Sequence, residues 1–276
     1  MPSTKRLIAL VAATLLSQPA ATQSLALLNA FAVDRAGTTL VDRAGARLVD
    51  ARGQLRACGL TTVAEAVARR DQDGFLVRLT EGTLPPLVRV EQWSGNGISQ
   101  WQVETSFFSG LAAVPGGGAL ISRQETGEDT IEFLRLDDKG NELWRNQTVR
   151  GERPPSFYDF LVDEQGRTLF TVPRPASERA WQVDVGMLGA DGRLAWIQSE
   201  LRDGFSIPSL ANDGKGDFWW YLGGTATVTA GMPSKLIRMS AGGYPLYERT
   251  GPTLVAGRDI ERAATGGSDT LWYLAD

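Results

Sequence analysis

A short phrase that recurs along the chain constrains the fold more than any other feature of the sequence. Its clearest copy is residues 131–144, where apolar residues alternate on both sides of an Asp/Gly turn, the period-two pattern of a β-hairpin. In every copy an aromatic residue follows the turn glycine by four positions, and a large apolar residue precedes it by four. Even offsets place these residues on one face of the two strands. The copies are Trp93/Gly97/Trp101, Leu136/Gly140/Trp144, Leu188/Gly192/Trp196 and Met239/Gly243/Tyr247.

Hairpins of a second kind alternate with this phrase, at residues 111–122, 160–172, 209–222 and 263–274. Two hairpins make four strands in about 45–50 residues, the length of one propeller blade. The sequence therefore predicts an all-β fold, a β-propeller of four-stranded blades, with a β-sandwich or an open β-solenoid as alternatives. Counting hairpins favours six blades, the last incomplete or closed by N-terminal strands. Five blades, or an incomplete ring, is the alternative.

The N-terminal part of the chain carries a smaller repeat, in which Asp34, Asp42 and Asp50 each precede a glycine by three positions. We interpret them as residues that cap the turns of a strand meander, because Asp side chains accept hydrogen bonds from turn amides. Calcium binding is the alternative. Residues 62–69 resemble a capping box followed by a helix, but the repeat register predicts a strand over 64–68, paired with 75–79.

Composition excludes several classes of function. The chain has no histidine, which removes Ser-His-Asp and Cys-His catalysis and histidine-ligated metals. Its one cysteine, Cys58, cannot form an intramolecular disulfide, and we interpret it as a small apolar residue of a strand. The net charge of −4 is mixed along the chain, and no basic patch with interleaved aromatics indicates nucleic-acid binding.

The first 26 residues have the pattern of a secretory signal peptide. Lys5 and Arg6 precede a ten-residue apolar run, and small residues follow up to Ala26. Ten helical residues rise about 15 Å, half of a hydrocarbon core of about 30 Å, so the run is too short for an anchor. We therefore expect a secreted or periplasmic protein with a signal peptide at 1–26, one propeller domain at 27–276 and no membrane span in the mature chain.

An Arg/Asp pairing recurs in the loops that lead into three of the predicted blades. Such loops gather at one end of a propeller's channel, where guanidinium groups bind a carboxylate or phosphate through two hydrogen bonds. The alternative is a structural ion pair between blades. The candidate ligand-binding residues are Arg150, Arg153, Asp159, Arg202, Asp203, Arg258 and Asp259.

Other polar and aromatic clusters indicate structure rather than chemistry. The carboxylates Asp137 and Asp138 lie in a polar turn, where we expect them to be solvated. The run Trp219–Trp220–Tyr221 suits a sugar-stacking platform, but adjacent aromatics in a blade pack more simply against neighbouring blades. No catalytic residue and no metal ligand is predicted, and calcium is the one cofactor left open.

The turns at residues 138–144 and 191–196 resemble those of bacterial secreted or periplasmic β-propeller repeat proteins, the quinoprotein-like and assembly-lipoprotein-like repeats. The resemblance covers residues 60–276 and implies a fold. The Ala-Leu-Asp that usually follows the inner strand of the quinoprotein repeat is missing, so no quinone cofactor is expected. We expect a non-enzymatic binding or scaffold module for a protein, a small anion or a sugar. A secreted hydrolase, lactonase or lyase that uses carboxylates, with or without calcium, is the alternative.

Overall fold

A computed structural model gives the structure of the chain, and its strands account for nearly all the residues that it describes. The described residues are 30–42, 46–60, 63–69, 73–81, 87–105, 109–124, 129–150, 159–177, 180–203, 208–212, 216–223, 226–227, 230–231, 233–253, 260–266 and 270–275. They form 24 strands and no helix. The predicted signal peptide lies outside them.

The first of two compact units, Met1–Glu104, contains two four-stranded antiparallel sheets, here called blade 1 and blade 2. Blade 1 consists of β1 (Ala30–Val33), β2 (Thr39–Asp42), β3 (Ala46–Val49) and β4 (Leu55–Leu60). Blade 2 consists of β5 (Val63–Ala68), β6 (Phe75–Glu81), β7 (Leu87–Trp93) and β8 (Ser99–Thr105). The predicted strand over 64–68 is confirmed as β5, so the repeat register prevails over the local helix pattern.

The second unit, Thr105–Asp276, contains three more blades. Blade 3 consists of β9 (Ser109–Ala113), β10 (Ala119–Arg123), β11 (Thr130–Leu136) and β12 (Glu142–Arg150). Blade 4 consists of β13 (Asp159–Val162), β14 (Thr168–Pro175), β15 (Ala180–Leu188) and β16 (Leu194–Asp203). Blade 5 consists of β17 (Pro208–Asn212), β18 (Phe218–Leu222), β21 (Pro233–Met239) and β22 (Pro245–Thr253).

Two short hairpins complete the described part of the second unit. β19 (Ala226–Thr227) and β20 (Ala230–Gly231) pair between β18 and β21. β23 (Ile260–Gly266) and β24 (Thr270–Ala275) form a separate two-stranded sheet after blade 5. The five four-stranded sheets among the described residues match the alternative count of five blades.

The turn glycines adopt the positive φ that the repeat predicts. Gly97, Gly140, Gly192 and Gly243 have φ between 78° and 84°. In each turn the glycine N–H donates to the carbonyl three residues earlier, as in the bond from Gly140 to Asp137 at 3.2 Å. A positive φ at this place matches the twist of the flanking strands.

Aspartates cap several of these turns, as the N-terminal repeat predicts. The Asp34 carboxylate accepts the amide of Thr38 at 2.7 Å, and Asp50 accepts that of Arg52 at 2.8 Å. Asp137 holds its own turn by bonds from the amides of Lys139 and Asn141. The side chain of Asp42 lies outside the described residues, as does that of Cys58.

Apolar side chains fill the space between successive blades within each unit. Between blades 3 and 4, the ring of Phe133 lies 5.7 Å from that of Phe160, edge to face, and 5.9 Å from that of Phe170. Between blades 4 and 5, Trp220 is buried in the same way, so the core interpretation of this aromatic is confirmed. The even-offset residues Trp93, Leu136, Leu188 and Met239 are all buried.

Candidate functional site

Asp159, one of the predicted ligand residues, joins two blades. It opens β13, the inner strand of blade 4, and its Oδ2 accepts the amide of Leu210 at 2.7 Å and the hydroxyl of Ser209 at 3.1 Å. Both donors lie on β17, the inner strand of blade 5. Its Oδ1 accepts the amide of Phe160 at 2.9 Å. The carboxylate is therefore occupied by bonds that hold blade 5 against blade 4.

Arg202 and Asp203 lie on the opposite edge of blade 4. Arg202 is buried, and its guanidinium donates to the carbonyl of Pro233 in blade 5 at 2.7 Å and lies 3.6 Å from Glu200. Asp203 is exposed. The sheet order β13-β14-β15-β16 separates Asp159 from Arg202 by three strand spacings, roughly 14 Å. The structure does not bring these predicted residues together.

The remaining predicted ligand residues lie outside the described part of the chain. These are the side chain of Arg150 and the whole of Arg153, Arg258 and Asp259. Where these residues are described, Arg202 joins blades 4 and 5 through the carbonyl of Pro233, and Asp159 joins them through the amide of Leu210 and the hydroxyl of Ser209.

A charged residue that the sequence analysis missed recurs on the third strand of four blades, buried in blades 3 and 4 and half-buried in blades 2 and 5. Eight positions before the turn glycine stand Arg89, Glu132, Asp184 and Lys235. The sequence analysis used the position four residues before each turn glycine; applying the same even spacing as far as eight residues before it would have found this charged position. A charge in this place is costly to bury unless it is paired. Each of the four forms an ion pair with at least one residue of opposite charge.

Glu132 of blade 3 binds three donors. Its carboxylate accepts the Arg145 guanidinium at 3.0 Å on both oxygens, and also short hydrogen bonds from Arg123 and Gln147. Burial by itself would raise the pKa of Glu132, but the bonds from Arg123, Gln147 and Arg145 outweigh it and hold the pKa below its usual value. This carboxylate is ionised and fully engaged at neutral pH.

Asp184 of blade 4 has an equivalent set of partners on its own blade. Arg174 donates to one carboxylate oxygen at 2.8 Å, while Gln182 and Ser199 donate to the other at 2.8 and 2.5 Å. All of these bonds come from blade 4 itself, from strands β14, β15 and β16. The charge therefore ties three strands together at the end of the sheet away from the turn glycine.

Arg89 of blade 2 occupies the same position in the repeat, but it carries a positive charge where Glu132 and Asp184 carry a negative one. It binds Glu81 through both terminal nitrogens, at 2.7 and 2.8 Å, and Glu91 through Nε at 2.5 Å. Glu91 also accepts the indole N–H of Trp93 at 2.7 Å. Burial opposes ionisation of Glu91, but the bonds from Trp93 and Arg89 keep its pKa below the usual value.

Lys235 of blade 5 pairs across blades. Its ammonium contacts both oxygens of Glu200 in blade 4, at 2.9 and 2.8 Å, and Glu248 on its own blade at 2.9 Å. Desolvation would lower the pKa of Lys235, but the two glutamates raise it above its usual value.

These clusters hold the blades in shape and do not resemble acid–base machinery. A general acid at neutral pH needs a raised carboxyl pKa, and Glu91 and Glu132 have lowered ones. Within the described ranges, no three His, Cys, Asp or Glu side chains come together as a metal site. None of the described residues belongs to a helix long and apolar enough to cross a membrane.

The surface of the second unit carries a repeated apolar feature. Two or three positions after the turn glycines Gly140, Gly192 and Gly243 stand Leu143, Leu194 and Leu246, which are 44–58% exposed. We call these three leucines the apolar rim. In the first unit, Leu55 and Ile98 are exposed two residues and one residue after the turn glycines Gly53 and Gly97. This is the described surface that most resembles a binding site.

Comparison with known proteins identifies the fold. No protein-family model and no curated protein matches the sequence. The Dos1 propeller matches the structure with a TM-score of 0.59 at 10% identity, over 89% of this chain and 66% of that one. The β-propeller domain of the Trilobed protease from Pyrococcus furiosus matches with a TM-score of 0.51 at 8% identity, over 92% and 79%. The chain has a β-propeller fold.

The resemblance to propeller repeats is thus confirmed at the level of the fold. A protein of unknown function from Bacteroides caccae has a TM-score of 0.49 at 13% identity, over 83% of both chains. The chain spans about two thirds of the Dos1 propeller structure. At identities of 8–10%, the Dos1 and Trilobed protease propellers show the architecture and leave the function to be argued from this chain's own residues.

Proposed function

We propose that this chain is an exported β-propeller that binds another protein and does not itself catalyse a reaction. The observation that supports the proposal best is the apolar rim. Single exposed leucines are ordinary on any protein surface, but each of three successive blades exposes a leucine two or three residues after its turn glycine. Exposed leucines that recur after the turns of three blades suit a partner that also presents apolar side chains.

The contacts between blades support a fixed spacing of the rim leucines. The indole of Trp144 donates to the carbonyl of Ala190, in the turn of the next blade, at 2.8 Å. The indole of Trp196 donates in the same way to Ala241 at 3.0 Å. Because these bonds join each turn to the next, Leu143, Leu194 and Leu246 lie on a preformed scaffold. A preformed surface loses little conformational entropy when it binds.

The engaged carboxylates favour binding over catalysis. Glu91, Glu132 and Asp184 each accept several hydrogen bonds, from donors on their own or neighbouring strands. An acid or nucleophile for hydrolysis would need to release those donors before it could reach a substrate, and each released arginine would lose one of its ion pairs. This supports a protein-binding role more than a small anionic ligand, a sugar or a hydrolytic reaction.

Site-specific photocross-linking in the source organism tests the proposal. A photoreactive amino acid placed at Leu143, Leu194 or Leu246 should yield one discrete product with the same second protein. The exposed Thr250, further along β22, is the control position and should yield none. Leu143→Glu with Leu246→Glu should abolish cross-linking from position 194 while the thermal midpoint stays unchanged.

Two outcomes would contradict the proposal. One is the absence of any second protein cross-linked from the three rim positions. The other is saturable turnover of an ester or lactone by the purified chain, with a thermal midpoint that rises on addition of calcium, since a ligand of the native state stabilises it. Export is tested separately, by the N-terminal mass of the protein recovered outside the cytoplasm, which should begin near residue 27.

A further inference from the structure

The outer strand of blade 4 presents an unusually apolar edge. β16 is ten residues long, and it ends the sheet order of its blade, so one of its sides pairs with no described strand. Ile197 and Leu201 are exposed on it in addition to the rim residue Leu194, with Leu201 67% exposed. A long edge strand with exposed apolar side chains is a template for pairing with another strand.

The outer strands of blades 3 and 5, β12 and β22, are less suited to such pairing. β22 exposes Leu246 and Tyr247 but contains Pro245, Gly251 and Pro252, and proline offers no N–H to a partner strand. β12 shows two register irregularities against β11, and Leu143 is its one exposed large apolar residue. β16 shows a single irregularity, next to the turn.

The sequence of β16 is complementary to itself when it is read in the opposite direction. In an antiparallel pair centred on Gln198, the small Ala195 lies opposite the large Leu201, and the small Ser199 lies opposite the large Ile197. At both ends of the pair Arg193 lies opposite Asp203, so opposite charges meet. Both of these charged side chains are exposed. A two-fold interface requires this kind of self-complementarity.

The side chains on the other face of β16 do not obstruct this pairing. Gln198, Glu200 and Arg202 already bind Gly243, Lys235 and Pro233 of blade 5. In the same register Glu200 lies opposite Trp196, and Arg202 lies opposite Leu194, so no like charges face each other. A partner strand therefore needs none of the contacts between blades 4 and 5 to break.

We propose that the chain forms a symmetric dimer in which β16 pairs antiparallel with β16 of a second copy, about a two-fold axis at Gln198. The two fourth strands would join two blades into one eight-stranded sheet. Ten residues a side is fewer than the about 20–30 of a standard interface, so the Kd should be about micromolar or weaker. The dimer goes beyond the proposed function and does not depend on it.

A charge exchange at two exposed positions tests both the interface and its register. Ala195→Lys with Leu201→Lys places lysine opposite lysine twice. Ala195→Lys with Leu201→Glu places lysine opposite glutamate twice, at the same positions. Sedimentation velocity of the whole chain, from about 1 to 500 μM, should show a concentration-dependent dimer for the wild type. We expect at least tenfold weaker association for the first variant and retained, salt-sensitive association for the second.

Controls separate this interface from the apolar rim and from misfolding. Leu143→Glu should leave dimerisation unchanged, because Leu143 lies on a different blade. The thermal midpoints of both double variants at low concentration should equal that of the wild type, since both positions are exposed. A wild type that stays monomeric throughout the range overturns the proposal. Undiminished association of the variant Ala195→Lys with Leu201→Lys also overturns it. If the two double variants associate equally, the proposed register is wrong.

Discussion

The indole of Trp144 in blade 3 packs directly on Gly192, the turn glycine of blade 4. A Cβ built on Gly192 would lie 2.5 Å from Cδ2 of the indole, inside van der Waals contact. The amide of Asn146 donates to the carbonyl of the same glycine at 2.8 Å. Trp196 and Gly243 repeat the packing between blades 4 and 5, with the equivalent Cβ at 2.7 Å. The glycine therefore both shapes its own turn and makes room for the aromatic ring of the preceding blade.

Gly192→Ala should separate these two roles when it is compared with Gly166→Ala. Both glycines have positive φ, 79° and 74°, but a Cβ on Gly166 meets nothing within 4 Å. Gly166→Ala should cost about 1 kcal/mol for the backbone conformation alone. Gly192→Ala should cost about 1–3 kcal/mol more, because the ring must move. Urea unfolding at pH 7 measures both, and equal costs would show that the indole does not fix the turn.

Removing the indoles should destabilise the protein strongly. Trp196 also stacks on Phe218, with ring centroids 5.9 Å apart and 16° between the ring planes. Trp144→Ala and Trp196→Ala should each cost about 3–5 kcal/mol in the free energy of unfolding. Trp196→Phe should recover most of this and lose only the hydrogen bond to Ala241, about 1 kcal/mol.

Tyr247 provides the matched control for these indoles. It occupies the same place in the repeat, but it is 49% exposed and contacts Trp219 edge to face at 6.2 Å. Tyr247→Ala should therefore cost less than either tryptophan. A cost below about 1 kcal/mol for both tryptophan variants would contradict their position between blades.

The repeat made much of this fold predictable from the sequence. Period-two alternation around a glycine depends only on neighbouring residues, so the hairpins at Gly140, Gly192 and Gly243 could be located directly. The pairing of strands 64–68 and 75–79 followed from the register, although residues 62–69 favour a helix locally. The strand wins because β5 and β6 pair along their length, and the buried Phe75 and Val77 of β6 pack in the apolar core.

The contacts of the charged residues could not be predicted from neighbours in sequence. Asp159 and Arg202 belong to similar Arg/Asp loops, but they lie on the first and fourth strands of one sheet, so proximity in the repeat did not imply proximity in space. The partners of Glu132 come from β10 and β12, and only the pairing of both strands with β11 brings Arg123 and Arg145 to the same carboxylate.

Asp159 should behave as a structural residue. Asp159→Ala leaves the amide of Leu210 and the hydroxyl of Ser209 without their acceptor, and should cost about 1–3 kcal/mol of stability. Asp203→Ala, at an exposed position on the same blade, should change stability by about 0.5 kcal/mol or less. Equilibrium unfolding measures both. If both variants change the free energy of unfolding equally and negligibly, Asp159 is not structural and is again a candidate ligand residue.

Glu132 should make the stability of the protein depend on acid pH. Its folded pKa lies below the usual 4.5, so its contribution is complete above pH 4.5 and is lost as the pH falls through the folded value. Glu132→Gln should cost about 1–3 kcal/mol at pH 7, less than a fully buried pair because Arg123 and Arg145 reach solvent. The difference from wild type should shrink as the pH drops toward 3.

Glu142→Gln removes a more exposed partner of the same Arg145, so it should cost about 0.5 kcal/mol or less. Urea unfolding of the three proteins at pH 7, 5 and 3 measures this, and a difference between Glu132→Gln and wild type that is independent of pH would show that the carboxylate carries no charge-dependent stability.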